Sequence, residues 1–150
     1  MHCFIRISLL ESTNLSNVRV DGAALNDKID ILDLGKYTYS DRYSGDYRYL
    51  FDEICIDVDE NDCITSIYSR FDEGKTEITV NDISNITTID QVEEILGDNY
   101  YDGIYDWEQL LNSYVYYDRE NNIIAEFVYF NFDEESINNR VLTWIDIYRK

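Results

Sequence analysis

The chain contains no proline. Its loops therefore cannot lean on a preset φ and must be built from Gly, Asn, Asp and Ser. Glycine is scarce too, at six residues. Neither G-x-x-x-x-G-K-[ST] nor G-x-G-x-x-G occurs, so no phosphate-cradling loop is expected. The single histidine is His2. A Ser-His or Cys-His nucleophile system is not expected, and a His-based zinc or iron site is excluded. The three cysteines, Cys3, Cys55 and Cys63, are odd in number and form no C-x-x-C, so they read as reduced thiols behaving as small hydrophobes. No run approaches the roughly 18 apolar residues of a membrane span. Residues 1–10 include Arg6 but no apolar core and no small-residue cleavage site, so no signal peptide is expected and the cytoplasm is the default compartment.

Positive charge is the most consequential shortage. Twelve Lys+Arg face 31 Asp+Glu, a net charge of -19 on 150 residues. Such a surface repels itself, attracts basic partners, and repels nucleic acid and anionic membranes. What is present is apolar and aromatic: 45% of residues are hydrophobic and 15% aromatic, with 14 tyrosines. The acid therefore sits on a folded body, not on a disordered tail. The length suits one domain spanning 1–150. Richness in Asn, Ile, Tyr, Asp and Glu is the composition of an AT-rich bacterial, plasmid or phage genome.

The chain reads as two similar halves, 18–71 and 78–132, in a register of sixty residues. Val18 and Val20 meet Ile78 and Val80, Ile29-Asp30 meets Ile89-Asp90, and Ile64 and Ile67 meet Ile124 and Phe127. Leu34-Gly35 meets Leu96-Gly97 after a slip of two. Each half reads as short strand, short helix, loop and long hairpin. In the second, residues 77–80 are strand-like and Thr88 with Gln91 spells a capping box. Ile89, Val92, Ile95 and Leu96 then form one apolar stripe, and Gly97 fits a left-handed stop. In the first, Asn26 is the cap, Ile29 and Leu32 the stripe, and Gly35 the end of a shorter helix.

Hairpin patterns are stronger. Ile54, Ile56 and Val58 alternate with Cys55 and Asp57, an acidic turn covers 59–62, and alternation resumes from Cys63 to Arg70. Residues 113–118 and 123–132 pair around a turn at 119–122, with a polar loop at 133–139 and a last strand at 141–148. Residues 3–10 form an expected first strand. Asp106 with Gln109 spells a second cap, giving an extra helical turn within 107–112. The expected class is α+β: one antiparallel sheet with short helices packed on one face.

A helix ending in Leu-Gly, a loop carrying Tyr and Trp, and a Tyr-rich hairpin with an acidic-Asn turn resembles one unit of the beta-lactamase inhibitory protein superfamily. The residues that carry the resemblance are 88–97, Trp107, 113–118 and 123–132. It implies a tandem of units whose concave sheet grips an enzyme.

Residues 57–62 begin like a calcium loop, but Asp62 stands where the template needs Gly and Tyr68 where it needs Glu. The segment reads as a solvated hairpin turn, and no cofactor or metal is expected. Two loop clusters mix tyrosine with charge at corresponding places. Tyr37, Tyr39, Tyr43, Tyr47 and Tyr49 interleave with Asp41, Arg42, Asp46 and Arg48. Tyr100, Tyr101 and Tyr105 interleave with Asp102, Asp106 and Glu108 beside Trp107. Tyr and Trp supply contact area at low entropy cost, and carboxylates steer a basic partner. Single-strand binders interleave aromatics with Lys and Arg instead, so the sign here is wrong for binding nucleic acid and right for imitating it. The expected partner surface is Tyr43, Asp46, Tyr47, Tyr100, Tyr101, Asp102, Tyr105, Asp106, Trp107 and Glu108. The expected function is that of an immunity-type inhibitor blocking a basic toxin enzyme, a nuclease above all. The alternatives are a non-inhibitory interaction module, a phage inhibitor of a host defence enzyme, and a carboxylate enzyme.

Overall fold

Period-two alternation runs through residues 54–58, 64–70 and 142–149, and strands form there. The computed structural model describes residues 9–41, 47–71, 76–131 and 140–150. The strands are β1 (Val18–Val20), β2 (Tyr49–Leu50), β3 (Ile54–Val58), β4 (Ile64–Arg70), β5 (Ile78–Val80), β6 (Tyr101–Asp106), β7 (Leu111–Asp118), β8 (Ile123–Phe130) and β9 (Leu142–Arg149). Helix α1 covers Ile89–Leu96. Seven strands make one antiparallel sheet in the order β2-β3-β4-β9-β8-β7-β6, and β1 and β5 make a separate antiparallel ribbon.

The expected α+β class is overturned. The fold is mostly β, with one α-helix among the described residues. Helix α1 forms where its signals are complete. Thr88 accepts from the Gln91 amide, the Gln91 side chain reaches back to the cap, and Gly97 leaves the helix at φ 93°. The first-half helix lacks that support. Asn26 is left-handed at φ 74°, Lys28 supplies no side-chain cap, and only two short 3-10 turns form, Ile29–Ile31 and Leu34–Lys36. Two stripe residues do not repay the cost of nucleating a helix. The helical turn expected within 107–112 is also absent. Asp106 accepts from the amides of Glu108 and Gln109, Leu110 turns at φ 57°, and the chain re-enters the sheet at Leu111. The cap residue there makes a hairpin loop. Of the expected first strand at 3–10, only Leu9 and Leu10 lie among the described residues, and they form a turn and a bend. The loop at 133–139, and Phe132 at the expected strand end, lie outside the described residues.

The large sheet buries one face throughout and part of the other, since Val115, Tyr117, Ile124 and Val128 on the opposite side of β7 and β8 are buried too. Cross-strand partners share a face, so Ile56, Ile67, Ile147, Ala125 and Tyr116 form one core row. Ile54, Ser69, Ile145, Phe127 and Tyr114 form the next. The ribbon residues Val18, Val20, Ile78 and Val80, with Leu15, Ile89 and Val92, pack into the same core. Each such buried side chain contributes about 1.5–3 kcal/mol.

Around the ribbon, contacts recur at a sixty-residue spacing. The bridge Val20–Ala23 has its counterpart in Val80–Ile83. The Asp21 amide donates to the Glu77 carbonyl, and the Asn81 amide to the Asn17 carbonyl. In the large sheet the spacing changes. The Ile29 amide meets the Asp62 carbonyl while the Ile89 amide meets Arg140, and the Ile64 amide meets Asp27 while the Leu142 amide meets Thr87. Through these contacts Ile64 corresponds to Leu142, whereas Ile124 lies on the neighbouring strand β8. No helix among the described residues is long and apolar enough to cross a membrane.

Candidate outer-sheet binding face

The same alternation that fills the core aims the intervening side chains at the opposite face of the sheet. Across that face runs a row of Cys55, Tyr68, Asp146, Glu126, Val115 and Tyr101, strand by strand. Beside it on one flank lie Asp57, Ser66, Tyr148, Ile124 and Tyr117. On the other lie Arg70, Trp144, Val128, Ser113 and Gly103. Helix α1 and the ribbon pack on the core side, and no described helix or strand packs over this one. Small apolar contacts among Val115, Tyr117, Ile124, Tyr101 and Tyr148 make its floor. Gly103 keeps space for an aromatic ring, since a Cβ there would come within 2.9 Å of the Tyr101 ring.

Two carboxylates stand at the centre. Glu126 and Asp146 are directly opposite on β8 and β9. Like charges in that position repel. Burial, then the charge of Glu126, pushes the Asp146 carboxyl up to about 6. Burial also raises Glu126, against the Ser113 hydroxyl that donates to it at 2.9 Å. Neither carboxylate forms an ion pair among the described residues. Aromatic rings surround them. Tyr105 sits edge-on to Trp144 with centroids 5.2 Å apart, and the Tyr68 ring lies 6.1 Å from Trp144. Burial and then Asp146 raise the Tyr47 hydroxyl to about 12, and burial and then Glu126 raise Tyr105. A cleft of about 410 Å³ is lined by Tyr47, Asp57, Ser66, Asp146 and Tyr148. A second, of about 740 Å³, runs along Arg70, Leu111, Phe130 and Trp144.

The sequence-derived surface divides on this frame. Tyr47, Tyr101 and Tyr105 belong to the outer face. Trp107 is 75% exposed at the tip of the β6–β7 loop, beside exposed Glu108, Ile104 and Leu110. Asp106 is spent on holding that loop. Tyr100 points to the core side, stacked on Tyr114 at 3.7 Å and donating to Glu93 at 3.0 Å. Asp102 accepts from the core residue Tyr129 at 3.2 Å. Tyr43 and Asp46 lie outside the described residues.

Sequence reasoning missed Tyr68, Glu126, Trp144, Asp146 and Tyr148. Their signal was present in the alternation of β9, where Trp144, Asp146 and Tyr148 share a side. Strand order was the missing information: β9 lies between β4 and β8, which brings Asp146 against Glu126 and Tyr68. Two other buried or half-buried groups are architectural. Glu53, 2% exposed, accepts twice from the Thr38 amide. Arg140 ties Asp90 to the Tyr114 and Tyr129 hydroxyls on the core side. No family model, no characterised protein and no solved structure matches this chain.

Proposed function

We propose that this is an acidic protein-binding inhibitor, acting in the bacterial cytoplasm as an immunity-type protein that blocks the active site of a basic toxin enzyme, with a nuclease as the favoured class. One observation carries the reading: the outer sheet face, over which no described helix or strand packs, sets tyrosines and a tryptophan around two carboxylates that form no ion pair among the described residues. Rigid aromatics provide contact area, and the net charge of -19 draws in a basic enzyme. The resemblance to the beta-lactamase inhibitory proteins supports the same reading, through the helix-then-hairpin order of the second half.

The perturbed pair favours a second reading, a carboxylate enzyme. Acid–base catalysis needs two carboxyls whose environments push them apart. Here the same burial raises both. Binding is therefore the reading put forward.

The test is capture of a partner from the native host, followed by binding kinetics with folded variants. Asp102, Asp106 and Glu108 changed together to amides should slow association and flatten its salt dependence. Tyr101→Ala or Trp107→Ala should mainly hasten dissociation, by about 2 kcal/mol for a true anchor. A basic partner that binds every one of these variants as it binds the parent overturns the assignment of this surface.

A further inference from the structure

The cleft beside Asp146 has features that a general contact surface does not require. It is concave, at about 410 Å³, and it is walled by two phenol rings, Tyr47 and Tyr148. Two carboxylates, Asp57 and Asp146, open into it from different rows of the sheet, with the Ser66 hydroxyl between their strands. Asp146 accepts no hydrogen bond and forms no ion pair among the described residues. It also faces Glu126 directly across the strand pair. An amide or a hydroxyl would fill the same space without that repulsion. The arrangement costs the fold stability and leaves negative charge between aromatic walls, which suits a cation brought from outside.

The identity of the cation follows from the walls. A divalent metal is a poor match, because no group of three or more His, Cys, Asp or Glu able to hold one occurs among the described residues. An ammonium is compact and strongly hydrated, and loses more on leaving water. A guanidinium is planar, weakly hydrated, stacks on aromatic faces and donates to carboxylates along two edges. We infer that the Tyr47–Tyr148 cleft is a receptor for a single arginine side chain of the partner protein, seated between the two rings and held by Asp57 and Asp146. The inference rests on the docking reading above and names the group that this face grips.

The probes are three capped tripeptides, acetyl-Gly-Xaa-Gly-amide, with arginine, lysine or the uncharged isostere citrulline in the middle. Each is titrated into the full chain and followed by backbone amide shifts in nitrogen-15 NMR. The arginine peptide should give saturable shifts centred on Ser66, Asp146 and Tyr148. The lysine peptide should bind several-fold more weakly and the citrulline peptide not measurably. Asp146→Asn and Asp57→Asn should each weaken the arginine peptide by about tenfold or more. Asp82→Asn, at an exposed carboxylate in the turn after β5, on the ribbon that packs against the core side, should leave it unchanged. Thermal melts accompany each variant, and Asp146→Asn is expected to melt no lower than the parent. Shifts scattered over the acidic surface, equal binding of arginine and lysine, or unchanged binding to Asp146→Asn would each overturn the receptor. The two readings separate cleanly. Outer-face variants that weaken a captured partner, with no binding of the arginine peptide, sink the arginine receptor alone. Peptide binding as expected, with partner affinity indifferent to the outer face, sinks the docking surface alone.

Discussion

At the scale of single residues, two aspartates with opposite environments frame the chemistry. Asp118 is 1% exposed. Burial by itself would raise its carboxyl, but the Leu15 amide, the Asn121 side chain and the amides of Asn121 and Glu120 outweigh that and hold it below the ordinary value. It ties the N-terminal segment to the β7–β8 turn through the buried Leu15 amide at 2.9 Å. Asp118→Ala should cost about 3 kcal/mol, since it orphans a buried donor as well as removing charged hydrogen bonds; a denaturant midpoint close to the parent's would refute this. Asp146 is the reverse case, raised to about 6 by burial and by Glu126. A raised carboxyl adds stability below its unfolded value and loses it as pH climbs through the folded value, here between about pH 4 and pH 6. Asp146→Asn should therefore stabilise the chain at pH 7, by on the order of 2 kcal/mol, with the gain vanishing near pH 4. A gain that persists undiminished at pH 4 would show that repacking, not ionisation, is responsible.

At the scale of elements, local chemistry decided between look-alike segments. Residues around Thr88 and around Asn26 both read as helix starts. Only the first has the reciprocal Thr–Gln cap and a four-residue stripe, and only it becomes a helix. The ribbon shows the same dependence. Its two tight turns place Asp21 and Gly22, then Asn81 and Asp82, at positive φ. Tight hairpin turns of this handedness want Gly at the second position, as Gly22 provides and Asp82 does not. Asp82→Gly should raise the melting temperature slightly, by the equivalent of about 0.5 kcal/mol. Asp82 is exposed, so a fall would mean that its carboxylate has an interaction of its own. The hairpins β3–β4 and β7–β8 were legible because alternation and turn residues agreed. The β6–β7 loop was not, because Asp106 caps a turn with the same bonds whether or not a helix follows.

At the scale of the whole molecule, charge dominates. With -19 spread over 150 residues, repulsion opposes folding, and salt screens it over a Debye length of about 10 Å at 0.1 M. The melting temperature should rise from low to moderate ionic strength. Mild acid should act in the same direction until the lowered carboxyls of Asp59 and Asp118 begin to protonate, placing the stability maximum near about pH 5 and not at neutrality. A melting temperature that falls as salt is added would mean that attractive pairs, such as Arg149–Asp59 and Arg140–Asp90, outweigh the general repulsion.

By itself the sequence determined what depends on neighbours a few places apart. Period-two runs made strands, a complete capping box made the one α-helix among the described residues, and charge composition set the sign of the surface. It also determined which residues of β9 share a side. The tertiary structure alone decided which strands lie together. Pairing β4 with β9, across a gap of more than seventy residues, is a contact between distant segments that no local pattern encodes. That pairing, with β8 on the far side, sets Asp146 against Glu126 and gathers Tyr68, Trp144 and Tyr148 around them. The pairing of β6 with β7 leaves Tyr101 on the outer face, while Tyr100, the residue before β6, goes to the core side against Tyr114.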